Sequence, residues 1–234
     1  MTLVLLVRHG LTAGTGNVLT GRTPGIPLDD RGRAQAGALA ARLADVPLDA
    51  IVTSPLDRCL QTAEAIAAAR DGAGPEVTED VQFAEVKYGD WTGQPLKRLA
   101  KEPLWRVVQD HPSAATFPGG ESMRDVQHRA VAAVRAWNQT LGAGATYLIC
   151  SHGDVIKAIV ADSLGLHLDQ SQRIYADPCS LTVIRYTELR PFLIRMNDTG
   201  GGVHDLIRGT SPVPEGDAVV GGGAGRTDTA DARG

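Results

Sequence analysis

Two apolar runs in this chain end in the same way. Leu3 to Val7 leads into Arg8-His9-Gly10, and Tyr147 to Cys150 leads into Ser151-His152-Gly153. If each run is a strand of an open parallel sheet, both histidines emerge at the carboxyl edge, where such sheets bind ligands, and each following glycine permits close backbone approach. A third run, Ala50 to Thr53, delivers Arg58 to the same edge at the start of a helix, a position that favours anions. One histidine at a strand end is commonplace. Arg8, His9, Arg58 and His152 together are not, because four cationic or potentially cationic groups repel one another unless an anion sits among them, and a phosphoryl group is the anion that a forked guanidinium matches best. A metal is the rival use of two histidines. It would want a histidine or carboxylate two to four residues beyond a ligand, and it would place a cation beside Arg8, which opposes it. No metal and no cofactor are therefore expected.

The elements that must position these groups follow from the pattern of apolar residues. Leu3–Val7, Ala50–Thr53 and Tyr147–Cys150 are short runs suited to strands buried on both faces. Helical patterns follow each: 31–43, with Ala34, Ala38, Leu39, Ala41 and Leu43 as the apolar stripe; 57–70, with Leu60, Ala63, Ile66 and Ala67; and 154–164, ended by Gly165. Ser122, three residues before Asp125, predicts an N-cap for a long helix through Val126, Ala130, Val131, Val134 and Trp137. Between 80 and 120, two short helical patches at 96–100 and 104–109 are broken by Pro95, Pro103, Pro112 and Pro118, which reads as a covering insertion. Two late strands at 181–186 and 192–196 complete the sheet, the last one closing it in antiparallel sense. The alternation predicts an α/β fold, a three-layer α/β/α sandwich with a mostly parallel central sheet, in one domain over 1–208. From 209 to 234 the chain is rich in Gly and Ala and too poor in large apolar residues to offset ordering entropy, so a disordered tail is expected there.

In order along the chain stand Leu-Val-Arg8-His9-Gly10; Leu19-Thr20-Gly21-Arg22-Thr23, leading to Pro27-Leu28 and Gly32; Ser54-Pro55-Leu56-Asp57-Arg58-Cys59-Leu60-Gln61-Thr62-Ala63; Glu85 to Gly93; Pro118-Gly119-Gly120-Glu121-Ser122; and Ser151-His152-Gly153. Together, over roughly residues 3 to 197, these blocks resemble the histidine phosphatase superfamily, the phosphoglycerate mutase-like family. The resemblance implies that His9 attacks phosphorus, that Arg8, Arg58 and His152 bind the phosphoryl oxygens, and that Glu85 protonates the leaving oxygen and later takes a proton from water. It also makes Asn17, Thr20, Gly21 and Gly153 candidates, with Arg8 and Arg58, for binding substrate. One departure stands out. The family pattern has a polar residue two after the histidine and an asparagine six after it, whereas here Leu11 stands first and Asn17 comes eight after. His9 must attack as a neutral imidazole, which neighbouring arginines favour, and Glu85 must begin as the protonated acid, which desolvation near Tyr88 or Trp91 would favour.

The same phosphohistidine serves hydrolysis and transfer back to substrate, so the resemblance leaves a cofactor-dependent phosphomutase as the alternative. The mutases share a Glu-Arg-His-Tyr-Gly block and an arginine pair on a longer insertion. Here the block reads Glu85-Val86-Lys87-Tyr88-Gly89, with no adjacent arginine pair between 90 and 120, which favours a phosphatase. A noncatalytic phospholigand-binding protein would be expected to lose the nucleophile, the arginines or the acid, and all are present. Lys87, Trp91, Lys97, Arg98 and Arg106 are expected to roof the pocket and choose the substrate, with surface exposure as the simpler reading of Lys97 and Arg98.

Composition bounds the partners. A net charge of -4, from 23 basic and 27 acidic residues, offers no basic excess for a nucleic acid or an anionic membrane. No apolar run approaches the ~20 residues of a membrane span, and no signal peptide is apparent at Met1. Cys59, Cys150 and Cys179 lack zinc or disulfide spacing and are read as reduced thiols. The expected partner is a small phosphorylated molecule in the cytoplasm, and a homodimer is compatible with all of this.

Overall fold

A computed structural model of the chain describes residues 1–70 and 74–200. The expected tail at 209–234, and part of the break after the second helix, lie outside those residues. The described residues form a six-stranded sheet in the order β3-β2-β4-β1-β5-β6. Its strands are β1 (Thr2–Arg8), β2 (Ala50–Thr53), β3 (Val77–Glu79), β4 (Thr146–Ser151), β5 (Leu181–Tyr186) and β6 (Pro191–Asp198). The pairings β1–β4, β2–β4 and β2–β3 are parallel, while β1–β5 and β5–β6 are antiparallel. Both late strands thus run antiparallel, where only the last was expected to. β3 has no counterpart in the sequence reading, because a three-residue edge strand with one half-buried valine and two exposed polar residues leaves almost no apolar pattern.

The helices are α1 (Asp30–Leu43), α2 (Asp57–Ala68), α3 (Leu96–Leu99), α4 (Pro103–Asp110), α5 (Met123–Leu141) and α6 (Gly153–Ser163). Alternation along β1 divides the core. Leu5 and Val7 pack with Leu39 of α1 and Ile66 of α2, whereas Val4 and Leu6 pack with Val126 of α5 and Ile159 of α6. Helices thus cover both faces, and the architecture is the expected three-layer sandwich.

Local chemistry sets the ends. Asp29 caps α1 by accepting from the Gly32 amide, and Ser122 with Asp125 forms a reciprocal capping box on α5. The face of α1 differs from the expected one: Gly32, Ala36, Leu39, Ala40 and Leu43 are buried while Ala34, Ala38 and Ala41 are exposed. Alanine is apolar on either face, so an Ala-rich helix does not declare its buried side. The segment from 80 to 120 is woven into the core as well as covering it, for Phe83, Val86, Tyr88, Trp91 and Phe117 are all buried. It lies over the end of the sheet where β1 and β4 terminate.

Candidate active site

Arg8 is the last residue of β1 and His9 the next; His152 is the N-cap of α6 directly after β4; Arg58 is the second residue of α2. Parallel pairing that matches Arg8 with Ser151 brings the two histidines side by side, their ring centroids 5.1 Å apart. Glu85 arrives from the covering segment. All five groups are buried.

Each is held by backbone or by a neighbour. The Nδ1 of His9 lies 2.7 Å from the Gly10 carbonyl. A carbonyl only accepts, so Nδ1 carries the hydrogen and Nε2 keeps its lone pair, which faces the Nε of Arg58 at 3.3 Å. Arg58 also donates from one Nη to the Gly21 carbonyl at 2.7 Å, while its Nη1 is buried with no hydrogen-bond partner among the described residues. A buried guanidinium nitrogen left unmatched beside a nucleophilic nitrogen suits an oxyanion. Arg8 donates to the Ala176 carbonyl at 2.8 Å. His152 is fixed through Nε2 by the Ser54 hydroxyl at 2.8 Å, which turns Nδ1 toward Arg58 at 3.3 Å and Glu85 Oε2 at 3.8 Å. The other oxygen of Glu85 accepts from the Val86 amide at 2.9 Å.

Burial and neighbouring charge shift these groups in opposite directions, the histidines down and the carboxyl up. Burial, followed by the charges of Arg58 and Arg8, holds His9 well below the ordinary histidine range. His152 is lowered likewise, first by burial and then by Arg58. Burial, reinforced by the charge of Asp154, pushes the Glu85 carboxyl up to about 7. A neutral imidazole therefore stands beside a carboxyl group able to hold or release a proton near neutrality.

A small recess above His9 opens to solvent. Thr20 and Gly21 line it; Gly21 has φ of +52°, and a Cβ there would meet the Tyr88 ring at 3.0 Å. His152 and Gly153 are both buried and stand off that lining. Asn17 is not brought to the lining. It is exposed, its backbone carbonyl accepts from the Leu96 amide, and Thr15, Gly16 and Val18 reach the recess instead. The inserted loop thus advances its flanks and turns its asparagine outward. Nor do the residues expected to roof the pocket do so: Trp91 is buried against Trp105 and Phe117, Lys87 and Lys97 are exposed, and Arg98 and Arg106 turn to Gln94 and Asp110 on the surface. Leu96 takes that place.

Asp154, Lys157 and Ser54 stand beside the site without having been singled out from sequence. The buried Tyr88 hydroxyl donates to Asp154 Oδ2 at 2.7 Å, and Lys157 Nζ lies 3.7 Å from Asp154 Oδ1. Asp154 follows the Ser-His-Gly block directly, and that adjacency was the available signal. Ser54, the residue directly after β2, was equally legible as a strand-end residue. Among the described residues no group of three histidine, cysteine or carboxylate side chains is placed to hold a metal ion, and Cys59, Cys150 and Cys179 are buried free thiols.

Residues 4–199 match the family model described as histidine phosphatase superfamily (branch 1). Phosphoserine phosphatase 1 of Hydrogenobacter thermophilus is 30% identical over 210 residues, covering 85% of this chain and 93% of that protein. The probable phosphoglycerate mutase GpmB of Yersinia enterocolitica is 32% identical over 190 residues, covering 80% and 86%. The solved structure of Bacillus stearothermophilus YhfR superposes with a TM-score of 0.77 at 29% identity, covering 85% of this chain and 98% of that one.

Proposed function

The chain belongs to the histidine phosphatase superfamily, and from that premise we propose that it hydrolyses a small phosphomonoester through a phosphohistidine on Nε2 of His9. The observation that carries this reading is the Nδ1 contact of His9 with the Gly10 carbonyl, which leaves Nε2 as an unprotonated nucleophile between Arg8 and Arg58. Nε2 attacks phosphorus, the bond from phosphorus to the ester oxygen breaks, and Glu85 gives its proton to the leaving alkoxide. Arg8, Arg58 and His152 bind the phosphoryl oxygens as charge spreads over them, each being worth on the order of a hundredfold or more in rate. Glu85, now a carboxylate, takes a proton from water. The hydroxide attacks phosphorus, the bond to Nε2 breaks, and inorganic phosphate leaves with His9 neutral and Glu85 protonated again. Thr20 and Gly21 contribute to the substrate wall, and Gly153 lets α6 start directly behind His152.

Hydrolysis is favoured over mutase chemistry because Arg8 and Arg58, both committed to one phosphoryl group, are the arginines on the described lining, and a bisphosphorylated substrate needs cations for a second. The three buried free thiols suit a reducing cytoplasm, where we place the reaction. Rapid quench of enzyme with radiolabelled phosphomonoester into alkaline detergent should trap an alkali-stable, acid-labile phosphoenzyme that His9→Ala lacks, with turnover lost. Trapping an unchanged phosphoenzyme in His9→Ala would refute the assignment. Addition of 2,3-bisphosphoglycerate should not convert phosphate release into isomerisation of 3-phosphoglycerate.

A further inference from the structure

Beyond the phosphoryl cradle, the wall that meets the leaving group is neutral. Residues 14–19 are clamped against 93–96 by backbone hydrogen bonds, from Leu19 to the Gln94 carbonyl at 3.0 Å, from Gly93 to the Leu19 carbonyl at 2.8 Å and from Leu96 to the Asn17 carbonyl at 2.9 Å. The clamp fixes Val18, Leu19 and Leu96 together on the lining, with Thr15 and Thr20 as the neutral polar residues beside them and the Thr15 hydroxyl held by Thr12.

Arg22, the next cation along this loop, is turned away. Its Nε donates to the Glu85 carbonyl at 2.6 Å and its Nη2 to Glu121 at 3.0 Å. Glu121 is in turn shared with Arg129 at 3.0 Å and accepts from the Lys87 amide at 2.7 Å. Freeing Arg22 to meet a substrate carboxylate would break a partly buried charge network and withdraw a donor from the backbone of the residue that supplies the acid. On the described lining, that leaves Arg8, His9 and Arg58 as the cationic or potentially cationic groups, all of them assigned above to the phosphoryl group.

We infer that the Val18–Leu19–Leu96 wall, with Arg22 sequestered by Glu121, selects phosphate esters of uncharged alcohols and rejects those whose leaving group carries its own carboxylate or second phosphate. The inference rests on the phosphatase reading and names its substrate class. A carboxylate entering this wall sheds water against two leucines and a valine without gaining a cation. An uncharged alcohol loses little there, and its remaining hydroxyls have Thr20 to meet.

Glycerol 3-phosphate and 3-phosphoglycerate form a matched pair, differing in a hydroxymethyl group against a carboxylate. At about pH 6, where Glu85 is protonated, kcat/KM should favour glycerol 3-phosphate by about tenfold or more, the scale of discrimination expected when a buried polar group goes unpaired. Leu96→Arg, and separately Val18→Arg in case one variant misfolds, should narrow or invert that ratio by raising the rate on 3-phosphoglycerate. Wild-type preference for 3-phosphoglycerate or O-phosphoserine, with p-nitrophenyl phosphate still hydrolysed, overturns the inference and leaves the phosphatase reading standing. Failure on every ester, with no trapped phosphoenzyme, overturns the reading and the inference with it.

Discussion

Glu85 Oε2 stands 3.8 Å from His152 Nδ1, and near neutral pH the contact is not an ion pair. Burial drives the two groups apart in charge, the carboxyl up to about 7 and the imidazole well below its ordinary range, so both are largely uncharged on the acid side of neutrality. The first step of the proposed reaction needs Glu85 protonated and His9 neutral. Acidification therefore helps the acid, and it harms the nucleophile only far below pH 6.5, because His9 is lowered as well. The expected kcat/KM profile is flat through mildly acidic pH and falls above about 7, by about tenfold per pH unit once Glu85 is ionised. A profile on p-nitrophenyl phosphate that rises from pH 6 to 8 would contradict the assignment of Glu85 as the acid.

Asp154 is the charged group that most raises Glu85 after burial itself. Asp154→Asn keeps an acceptor for the Tyr88 hydroxyl and removes the negative charge. With that charge gone, Arg8 and Arg58 act on Glu85 less opposed, and the carboxyl ionises at lower pH. The descending limb of the profile should move toward acid while the rate at its acidic plateau stays near wild type. A purely structural role for Asp154 would lower the plateau and leave the limb in place, so the two outcomes separate in one titration.

Backbone crowding makes a stability prediction. A Cβ on Gly32 would lie 2.0 Å from the Leu11 carbonyl oxygen, and one on Gly10 would lie 2.6 Å from the Gly32 carbonyl oxygen. The first turn of α1 thus seats directly on the backbone that follows His9. Gly32→Ala cannot be relieved by rotating a side chain, because the obstacle is main chain. It should cost about 2–3 kcal/mol, the upper part of the range for overpacking, and thermal unfolding should show it as a lower Tm. Gly37→Ala on the same helix, where a Cβ meets nothing within 4 Å, is the control and should be neutral or stabilising.

How much of this was legible differs by residue, for physical reasons. His9 and His152 could be read because a strand buried on both faces is an unbroken apolar run, and the residue that ends it is conspicuous. The layers followed from the same runs. The pocket wall could not be read this way. Leu96 and Val18 reach the recess because a loop two residues longer than the family pattern is clamped to 93–96 by backbone bonds, and backbone pairing between irregular segments leaves no side-chain pattern. The basic residues expected to roof the site are on the surface for an equally plain reason: a charged side chain on a short helix gains more from water than from an apolar wall. The inward face of α1 was misread because alanine carries too little apolar area to mark it.

The crowding of cations at the site implies a last measurable consequence. Arg8 and Arg58 are 1% exposed, and Arg58 Nη1 has no hydrogen-bond partner among the described residues, so the folded chain carries desolvated positive charge that an anion would relieve. A ligand that binds only the folded state stabilises it by about 2.7 kcal/mol at a hundred times its Kd. For a domain of this size that corresponds to a rise in Tm of roughly 5–10 °C. Inorganic phosphate, and vanadate at lower concentration, should therefore raise Tm, whereas EDTA should change neither Tm nor turnover. Arg58→Met should abolish the phosphate-dependent rise. In phosphate-free buffer it should lose less stability than removal of a buried side chain that bonds to both the Gly21 carbonyl and His9 would ordinarily cost, because it also removes an uncompensated charge. A phosphate-dependent rise that survives in Arg58→Met would place the anion elsewhere, and turnover lost to EDTA and restored by a divalent metal would overturn the phosphohistidine route.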